Sequence, residues 1–251
     1  MLRGKGHVRI SFKLSKEKGT NMKIMLLRIG IDKGTDGALG PIFEDGSFEY
    51  IPISERDQNT TETRTFSSTV GRSGLPLSEF LPAQIVSRKM HYDPEFESFT
   101  YGDPTSKRKY LLKLVKDDLL VFYAGLTPYK NNIQKEALYI IGYFTIEKII
   151  DLTPNEYAAY CKIYSNNAHF KRSYYTDTVI AVGDKHRSKL LDRAFRISEI
   201  KHAINGKPYH AVSTEMEFSL GISGSIQRSI PPRLITNPLN VGNMKKILGI
   251  D

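Results

Sequence analysis

The residues best suited to chemistry in this sequence occur in a few short polar segments. The first follows an apolar run and contains Arg28 and Asp32 among four glycines. An arginine at such a turn can bind a phosphate through two parallel hydrogen bonds, and an aspartate can act as a general base or a metal ligand. Because Asp and Gly are also common turn formers, a set of tight turns explains the same residues.

A second segment, His91-Tyr92-Asp93-Pro94, places an imidazole two residues before a carboxylate. Such a pair can act as a histidine that is oriented by an acid, or it can supply half of a metal site. A surface turn is the alternative interpretation. Because no HExxH or CxxC spacing occurs in the sequence, we predict no structural zinc and assign no metal ligands. No cofactor is indicated.

A third segment follows a predicted helix and combines amide, imidazole and cationic groups in Asn167, His169, Lys171 and Arg172. Together these groups can bind a base edge and a phosphate. The alternative is a solvated loop. The set is therefore a candidate nucleotide-binding group.

The fourth segment is a Gly/Ser-rich loop at residues 219–233 that contains Ser223 and Arg228. Backbone N–H groups and hydroxyls in such a loop can bind an anion, with the arginine supplying charge. The loop has neither the Walker order nor the G-x-S-x-G pattern. The single cysteine, Cys161, lies among apolar residues of a predicted helix, so we interpret it as a core residue.

Strands rather than helices must position most of these segments. We predict strands at residues 23–29, 47–53, 119–124, 138–150, 178–182, 194–200 and 209–213, with a bulge or close contact at Gly142. We predict helices over residues 107–116 and 153–164 and a helical turn at 243–248. Strands and helices do not alternate regularly, which favours an α+β fold with a mixed, curved or barrel-like sheet and a few flanking helices.

The charge of the chain is unevenly distributed. The 251 residues include 36 Lys+Arg and 27 Asp+Glu, for a net charge of +9. Residues 1–21 contain six basic residues and one acidic residue, so the remainder carries +4. We expect residues 1–21 to be a basic N-terminal extension and residues 22–251 a single α+β domain. A charge of +4 is compatible with a phosphate-sized ligand as well as with a polymer.

Composition excludes several classes of protein. One cysteine excludes a disulfide scaffold, and an apolar content of 40% excludes a disordered chain. No uncharged apolar run approaches the roughly 18–20 residues that span a bilayer, and residues 1–21 lack the apolar region of a secretion signal. We therefore expect a cytoplasmic protein without a membrane partner.

Two family resemblances narrow the function. Residues 117–123 and 139–144 combine an acidic turn, an aromatic strand and a second strand that contains a glycine. This pattern is similar to modules of the PUA/ASCH/EVE kind, which bind RNA or modified bases. The wider resemblance is carried by residues 23–53.

Residues 23–53 resemble the N-terminal signature of the nucleotide modification associated domain 3 family. The matching residues are Arg28, Gly30, Asp32, Gly37, Pro41, Ile42, Asp45, Gly46, Pro52 and Ile53. His91-Tyr92-Asp93-Pro94 is similar to the family's His-x-Asp-Pro element, and the resemblance extends best over residues 22–150. It implies a role in the synthesis or handling of modified nucleotides.

Two nucleotide-related functions remain open at this point, beside a structural or complex-assembly role. In the first, the protein is an enzyme acting on a nucleotide or DNA base, with Asp32, His91 and Asp93 as acid/base residues. The nucleotide-binding candidates are then Arg28, Asn167, His169, Lys171, Arg172, Ser223 and Arg228. In the second, the protein is a non-catalytic PUA-like module that binds modified nucleic acid. The partner is a nucleotide or nucleic acid in both cases, while the substrate and the oligomeric state stay open.

Overall fold

The computed structural model describes residues 22–131 and 135–250. Its strands are β1 (Ile24–Arg28), β2 (Gly40–Ile42), β3 (Ile53–Ser54), β4 (Met90–His91), β5 (Thr100–Asp103), β6 (Leu119–Pro128), β7 (Ala137–Asp151), β8 (Val179–Gly183), β9 (Lys189–Arg196), β10 (Ser198–His202), β11 (Pro208–Val212) and β12 (Arg233–Ile235). Its α-helices are α1 (Arg108–Leu111), α2 (Pro154–Ile163), α3 (Thr214–Leu220) and α4 (Pro238–Leu248). Short 3-10 turns lie at Leu77–Phe80 and Ala168–Lys171. The expected basic extension at residues 1–21 lies outside the described residues.

The long antiparallel strands β6 and β7 form the centre of the main sheet, whose order is β12-β1-β6-β7-β8-β5. Each of the two has a pair of partners along its outer edge. On β6, β1 pairs in parallel with the first half and β2 pairs in parallel with the last residues. Strand β7 likewise has two partners along one edge, both antiparallel. Strand β9 pairs with residues 139–143 and β8 pairs with residues 146–151. Between β1 and β2 the chain leaves the sheet, so residues 29–39 are free to line a cavity.

The strands read as continuous apolar runs because both faces of the sheet are covered. Met25 and Leu27 pack on one face, while Ile24 and Leu26 pack on the other. Helices α3 and α4 cover the second face. Phe96 and neighbouring aromatic residues cover the first face around Phe122 and Phe144, whose ring centroids are 4.7 Å apart.

The predicted α+β class with a mixed sheet is confirmed. Over residues 22–131 and 135–250 the sheet stays open and does not close into a barrel. The predicted irregularity at Gly142 is also confirmed, because Phe122 pairs with Gly142 but Tyr123 pairs with Ile140. No helix in the described part of the chain is long and apolar enough to cross a membrane.

The predicted helix at residues 107–116 is much shorter in the structure. Helix α1 is one turn, Arg108–Leu111. The backbone N–H of Val115 donates to the Asp118 carboxylate at 2.9 Å, and Asp117 adopts a φ of 71°. These two features turn the chain into β6, so Val115 is exposed instead of packing on a helix face.

The C-terminal segments contain more regular structure than predicted. Helix α3 was not predicted and ends inside the predicted loop at 219–233, with Gly221 at a φ of 64°. Helix α4 begins well before the predicted turn at 243–248, because Asn237 accepts a hydrogen bond from the backbone N–H of Leu239 and caps it. The predicted strand at 47–53 is wrong in extent, since only β3 forms at its end.

The bulge on β7 leaves no room for a side chain at Gly142. A Cβ there would lie 2.8 Å from the Lys189 carbonyl oxygen and 2.8 Å from a Phe96 ring carbon. We expect Gly142→Ala to lower the free energy of unfolding by about 2 kcal/mol through overpacking. Gly242→Ala, in open space on α4, is the matched control and should stabilise by about 0.5–1 kcal/mol. Chemical denaturation of both variants measures this, and equal effects would contradict the packing argument.

Candidate functional site

A cavity of about 280 Å³ opens where β1, β4 and β5 end. We call it the central cavity, and its walls include Arg28, His91, Asp93, Asp103, His169 and Arg228. Strand ends are common places for binding sites because the rigid sheet fixes the loops that leave it. Here the loops bring together side chains that lie up to 200 positions apart in the sequence.

His91 lies on β4 and is held by Glu55, which directly follows β3. Its Nδ1 is 2.6 Å from Glu55 Oε2, and Arg172 Nη2 donates to Glu55 Oε1 at 3.0 Å. Burial alone would raise the pKa of the Glu55 carboxyl, but hydrogen bonds from His91 and Arg172 hold that pKa well below its usual range. The ionised carboxylate therefore accepts the proton of Nδ1.

The ring of His91 is thereby left with Nε2 as its unprotonated nitrogen. Burial lowers the pKa of His91 and outweighs the opposing effect of Glu55, so the imidazole is neutral near pH 7. A carboxylate on Nδ1 increases the basicity of Nε2 and fixes the orientation of the ring. The pair can transfer a proton or ligate a metal ion.

Asp93 is fixed by a separate set of hydrogen bonds. Its Oδ1 accepts from the Gly102 backbone N–H at 2.9 Å and from Asn167 Nδ2 at 3.1 Å. Its Oδ2 lies 3.5 Å from Nε2 of His169, which also lies 3.0 Å from the Gly102 carbonyl oxygen. The rings of His91 and His169 meet edge to face, with centroids 4.8 Å apart.

These contacts bring His91, Asp93 and His169 into one buried group. One potential ligand atom from each residue lies within 4.8 Å of the other two. A search of the described residues for three or more His, Cys, Asp or Glu side chains at metal-binding spacing gives this group. We assigned no metal ligands from the sequence, because His169 lies 76 residues beyond Asp93 and the pair therefore forms no short metal-binding motif.

A cluster of cations forms another wall of the central cavity. Arg228 donates hydrogen bonds to the Asp32 carboxylate and to the Gly30 carbonyl oxygen, which brings it beside Arg28. Burial, together with the charge of Arg228, lowers the pKa of Arg28 to about 10. Burial also lowers the pKa of Lys107, and the nearby Arg228 and Arg28 act in the same direction.

Two further cavities adjoin the central one. The side cavity, about 520 Å³, shares Arg28 and Arg228 with it and also contains Asp32 and His210. A larger cavity of about 620 Å³ shares Ser54 and Arg56 with the central cavity. The side cavity and the larger cavity also share Thr35, so all three spaces adjoin one another.

The structure brings six of the predicted site residues to the central cavity: Arg28, His91, Asp93, His169, Arg172 and Arg228. Asp32 lines the side cavity instead. Its Oδ1 accepts the backbone N–H groups of Gly34 and Thr35 at 2.9 Å each, and its Oδ2 accepts from Arg228. Hydrogen bonds from Arg228 outweigh the effect of burial and lower the pKa of Asp32, which makes it a weak base.

Three other predicted residues lie outside the cavity wall. Asn167 is fully buried and supports Asp93 and Thr100, and its side chain caps the 3-10 turn that contains His169. Lys171 is paired with Glu62 at 2.8 Å. Ser223 is exposed, and its carbonyl oxygen accepts a hydrogen bond from Arg233.

Sequence reasoning missed Glu55, Asp103 and Lys107. Lys107 begins the predicted helix 107–116, and the concentration of lysine and arginine in that segment was the available signal. Asp103 is the last residue of the short strand β5, and Tyr101 Oη donates to it at 2.7 Å. Glu55 carries no local signal, since its partners Arg172 and His91 are 117 and 36 residues away.

The fold and the site define an α+β protein with an open mixed sheet, whose strand ends enclose a histidine–carboxylate group beside clustered arginines. The family model for nucleotide modification associated domain 3 matches residues 23–217, and the chain belongs to that family. The predicted resemblance is thereby confirmed and extends beyond residue 150. The PUA/ASCH/EVE resemblance stays a prediction.

Other comparisons add little to this identification. No curated protein matches the chain. Among solved structures, the chain is similar to the N-terminal domain of Thermococcus gammatolerans McrB bound to m5C DNA. The sequence identity is 12%, the match covers 90% of this chain and 97% of that chain, and the TM-score is 0.32. A TM-score this low does not establish a shared fold.

The pairing of Lys171 gives a prediction about acid stability. Burial opposes ionisation of Glu62, but hydrogen bonds from Arg64 and Lys171 lower its pKa from 4.5 to about 2. A lowered pKa stabilises the fold above pH 4.5, and this contribution disappears as the pH falls towards 2. We expect Glu62→Gln to lose about 2–3 kcal/mol at pH 7 and to show a flatter pH dependence between 4.5 and 2.

Denaturant unfolding at several pH values measures this effect. Glu97→Gln is the control, because Glu97 contacts the same Arg64 but its side chain is 56% exposed. That variant should retain the wild-type pH dependence. A Glu62→Gln variant with an unchanged profile would contradict a structural role for the Glu62–Lys171 pair.

Proposed function

We propose that this protein binds a modified nucleotide, free or within nucleic acid, and that the phosphate of the nucleotide lies in the central cavity. Membership of a family described as associated with nucleotide modification supports the class of ligand. The chemistry of the cavity supports the mode of binding.

The observation that carries this proposal is an excess of buried and half-buried positive charge. Arg28, Arg228 and Lys107 line one cavity, and their pairing with carboxylates is incomplete. Arg28 is 7% exposed, its Nε has no hydrogen-bond partner among the described residues, and its Nη2 lies 3.9 Å from Asp32. Lys107 forms no ion pair with any described residue.

Buried charge is unfavourable unless it is paired. The lowered pKa values of Arg28 and Lys107 both reflect burial and the neighbouring cations, so an arriving anion relieves repulsion that already exists. A phosphate offers several acceptor oxygens to the planar guanidinium groups, which is the geometry that arginine binds best. The anion-binding part of the site is therefore formed by Arg28, Arg228 and Lys107.

The size and neighbours of the cavity favour a nucleotide over a smaller anion. At about 280 Å³ it is near the lower end of the roughly 300–1,000 Å³ typical of ligand pockets. The side cavity and the larger cavity both adjoin the central cavity, and Arg56 and Arg88 of the larger cavity contribute further cations. Adjoining spaces of this kind can accept the neighbouring nucleotides of a strand.

Removal of Lys107 tests the proposal directly. We expect Lys107→Gln to weaken binding of deoxynucleoside monophosphates about tenfold, because one charge-assisted hydrogen bond to phosphate is worth roughly 1.5–3 kcal/mol. Lys116→Gln is the matched control, since Lys116 is exposed and lies outside the cavity. Calorimetric titration with modified and unmodified monophosphates measures both variants. Equal affinities of Lys107→Gln and Lys116→Gln would contradict the proposal.

The same titrations separate a free nucleotide from a polymer. Binding of a single strand through Z phosphates weakens with salt with a slope of about −0.7Z, while a mononucleotide changes much less. Titration of an oligonucleotide at several salt concentrations therefore shows whether the adjoining cavities are used. A steep slope supports nucleic acid as the ligand, and a shallow slope supports a free nucleotide.

A second candidate function is enzymatic action on the bound nucleotide. The observation in its favour is the Glu55–His91 pair, in which a buried carboxylate at 2.6 Å orients a neutral imidazole beside the phosphate-binding cations. A neutral, oriented imidazole is the usual general base near pH 7. In this role Nε2 of His91 takes a proton from the substrate or from water.

Substitution of His91 distinguishes the two functions. If the protein is an enzyme with this base, His91→Gln should bind nucleotide with near wild-type affinity but lose turnover by about 100-fold or more. Mass spectrometry of nucleotides incubated with wild-type protein and with the variant detects the product. Product formation that is unchanged in His91→Gln would eliminate His91 as the base.

A further inference from the structure

The buried group of His91, Asp93 and His169 has the composition of a metal site. Two imidazoles and one carboxylate are the ligand set with which many proteins hold a first-row divalent metal ion and leave other positions open. The three residues are 6%, 9% and 4% exposed. They come from β4, from the loop that follows it and from the 3-10 turn at Ala168–Lys171.

We propose that His91, Asp93 and His169 bind a divalent transition-metal ion at the central cavity. The proposal does not depend on nucleotide binding, because its three ligands are distinct from Arg28, Arg228 and Lys107. Hydrogen bonds orient His91 and Asp93, and one buried nitrogen of His169 has no partner among the described residues.

Two of the ligands are held by a second layer of residues. Glu55 engages Nδ1 of His91 at 2.6 Å, which leaves Nε2 for a metal ion. Asn167 donates to Oδ1 of Asp93 at 3.1 Å. Oδ2 accepts the longer of two bonds from the Gly102 backbone N–H, at 3.2 Å, and lies 3.5 Å from Nε2 of His169. Carboxylate and amide partners of this kind are typical of metal ligands, because they fix the tautomer and the direction of the lone pair.

His169 provides the independent observation. Its Nε2 lies 3.0 Å from the Gly102 carbonyl oxygen, but its buried Nδ1 has no hydrogen-bond partner among the described residues. Buried polar atoms are normally paired, and leaving one unpaired is costly. A purely structural histidine in this position would have a partner for both nitrogens. A metal ion bound by Nδ1 of His169 would be the partner that this nitrogen lacks among the described residues.

The spacing requires only a small contraction. Ligand atoms bound to one ion at about 2.1 Å lie no more than about 4.2 Å apart, whereas the longest separation here is within 4.8 Å. The three residues are on loops or short elements at the rim of the cavity and not on the long central strands. A shift of about half an ångström at one ligand closes the site.

A metal ion here changes what the cavity can do. The positions that protein ligands leave open face a space that also contains the cations proposed for phosphate, so a water molecule or a ligand oxygen can complete the coordination. Coordination of Nε2 of His91 also excludes that nitrogen as a proton acceptor. The metal site and the imidazole base are therefore alternatives that one set of variants separates.

Cobalt(II) is a suitable probe, because its visible spectrum reports ligand type and geometry. The full-length protein, first stripped with a chelator, is titrated with Co(II) alone and the bound metal is counted after gel filtration. We expect one Co(II) per chain. His169→Gln and His91→Gln should each lose this site, while Glu55→Gln should weaken it about 10–100-fold through loss of orientation.

His210→Gln is the matched control, because His210 is a half-buried histidine of the side cavity and not of the proposed site. It should bind Co(II) like the wild type. Circular dichroism and thermal unfolding establish that each variant is folded before it is compared. If His169→Gln does not fold, the spectrum and affinity of Glu55→Gln decide the question, since Glu55 is not a ligand.

Two results would overturn the proposal. One is a wild-type protein that binds no Co(II), Zn(II) or Mn(II) with a stoichiometry near one. The other is Co(II) binding that is the same in the wild type, His91→Gln and Glu55→Gln, which would assign the metal to surface histidines.

Discussion

The contact of Arg228 with the turn after β1 is the interaction on which the site depends. It joins residues 196 positions apart, because Arg228 donates both to the Asp32 carboxylate and to the Gly30 carbonyl oxygen. It brings the Arg228 side chain to the cavity wall and places a second guanidinium beside Arg28. The contact holds two guanidinium groups close together despite their repulsion, with Asp32 as the opposing charge.

This arrangement is possible because the sheet leaves a gap at that point. Strand β6 pairs first with β1 and then with β2, and the chain between them is released from the ladder. Gly125 lies on β6 beside the gap, where an added Cβ would be 2.7 Å from Arg28 Nη2. The absence of a side chain at Gly125 therefore gives the Arg28 guanidinium its space. A long central strand with divided partners thus provides both the rigid base of the site and its opening.

The polar side chains of the cavity differ in how completely they are hydrogen-bonded. Glu55 and Asp93 have several well-formed hydrogen bonds each, whereas Nδ1 of His169 and Nε of Arg28 have none within the described residues. Incomplete pairing is unfavourable for folding, and proteins tolerate it mainly where a ligand completes the set. The unpaired Nε belongs to the cationic guanidinium of Arg28, and the unpaired Nδ1 belongs to the imidazole of His169. An anion and a metal ion are the ligands that would satisfy them.

The sequence by itself determined the long central strands, the capped helix and the residue types available for chemistry. Continuous apolar runs at 23–29, 119–124 and 138–150 indicate strands covered on both faces, and the Thr-Pro-Asn-Glu segment indicates the start of α2, because such patterns are local. Tertiary structure decided which polar residues meet. It paired Lys171 with Glu62 and Arg172 with Glu55, each across more than 100 residues, and it ended α1 after one turn. The physical reason is that an ion pair depends on which loops share a strand end, and no short-range periodicity in the sequence encodes that.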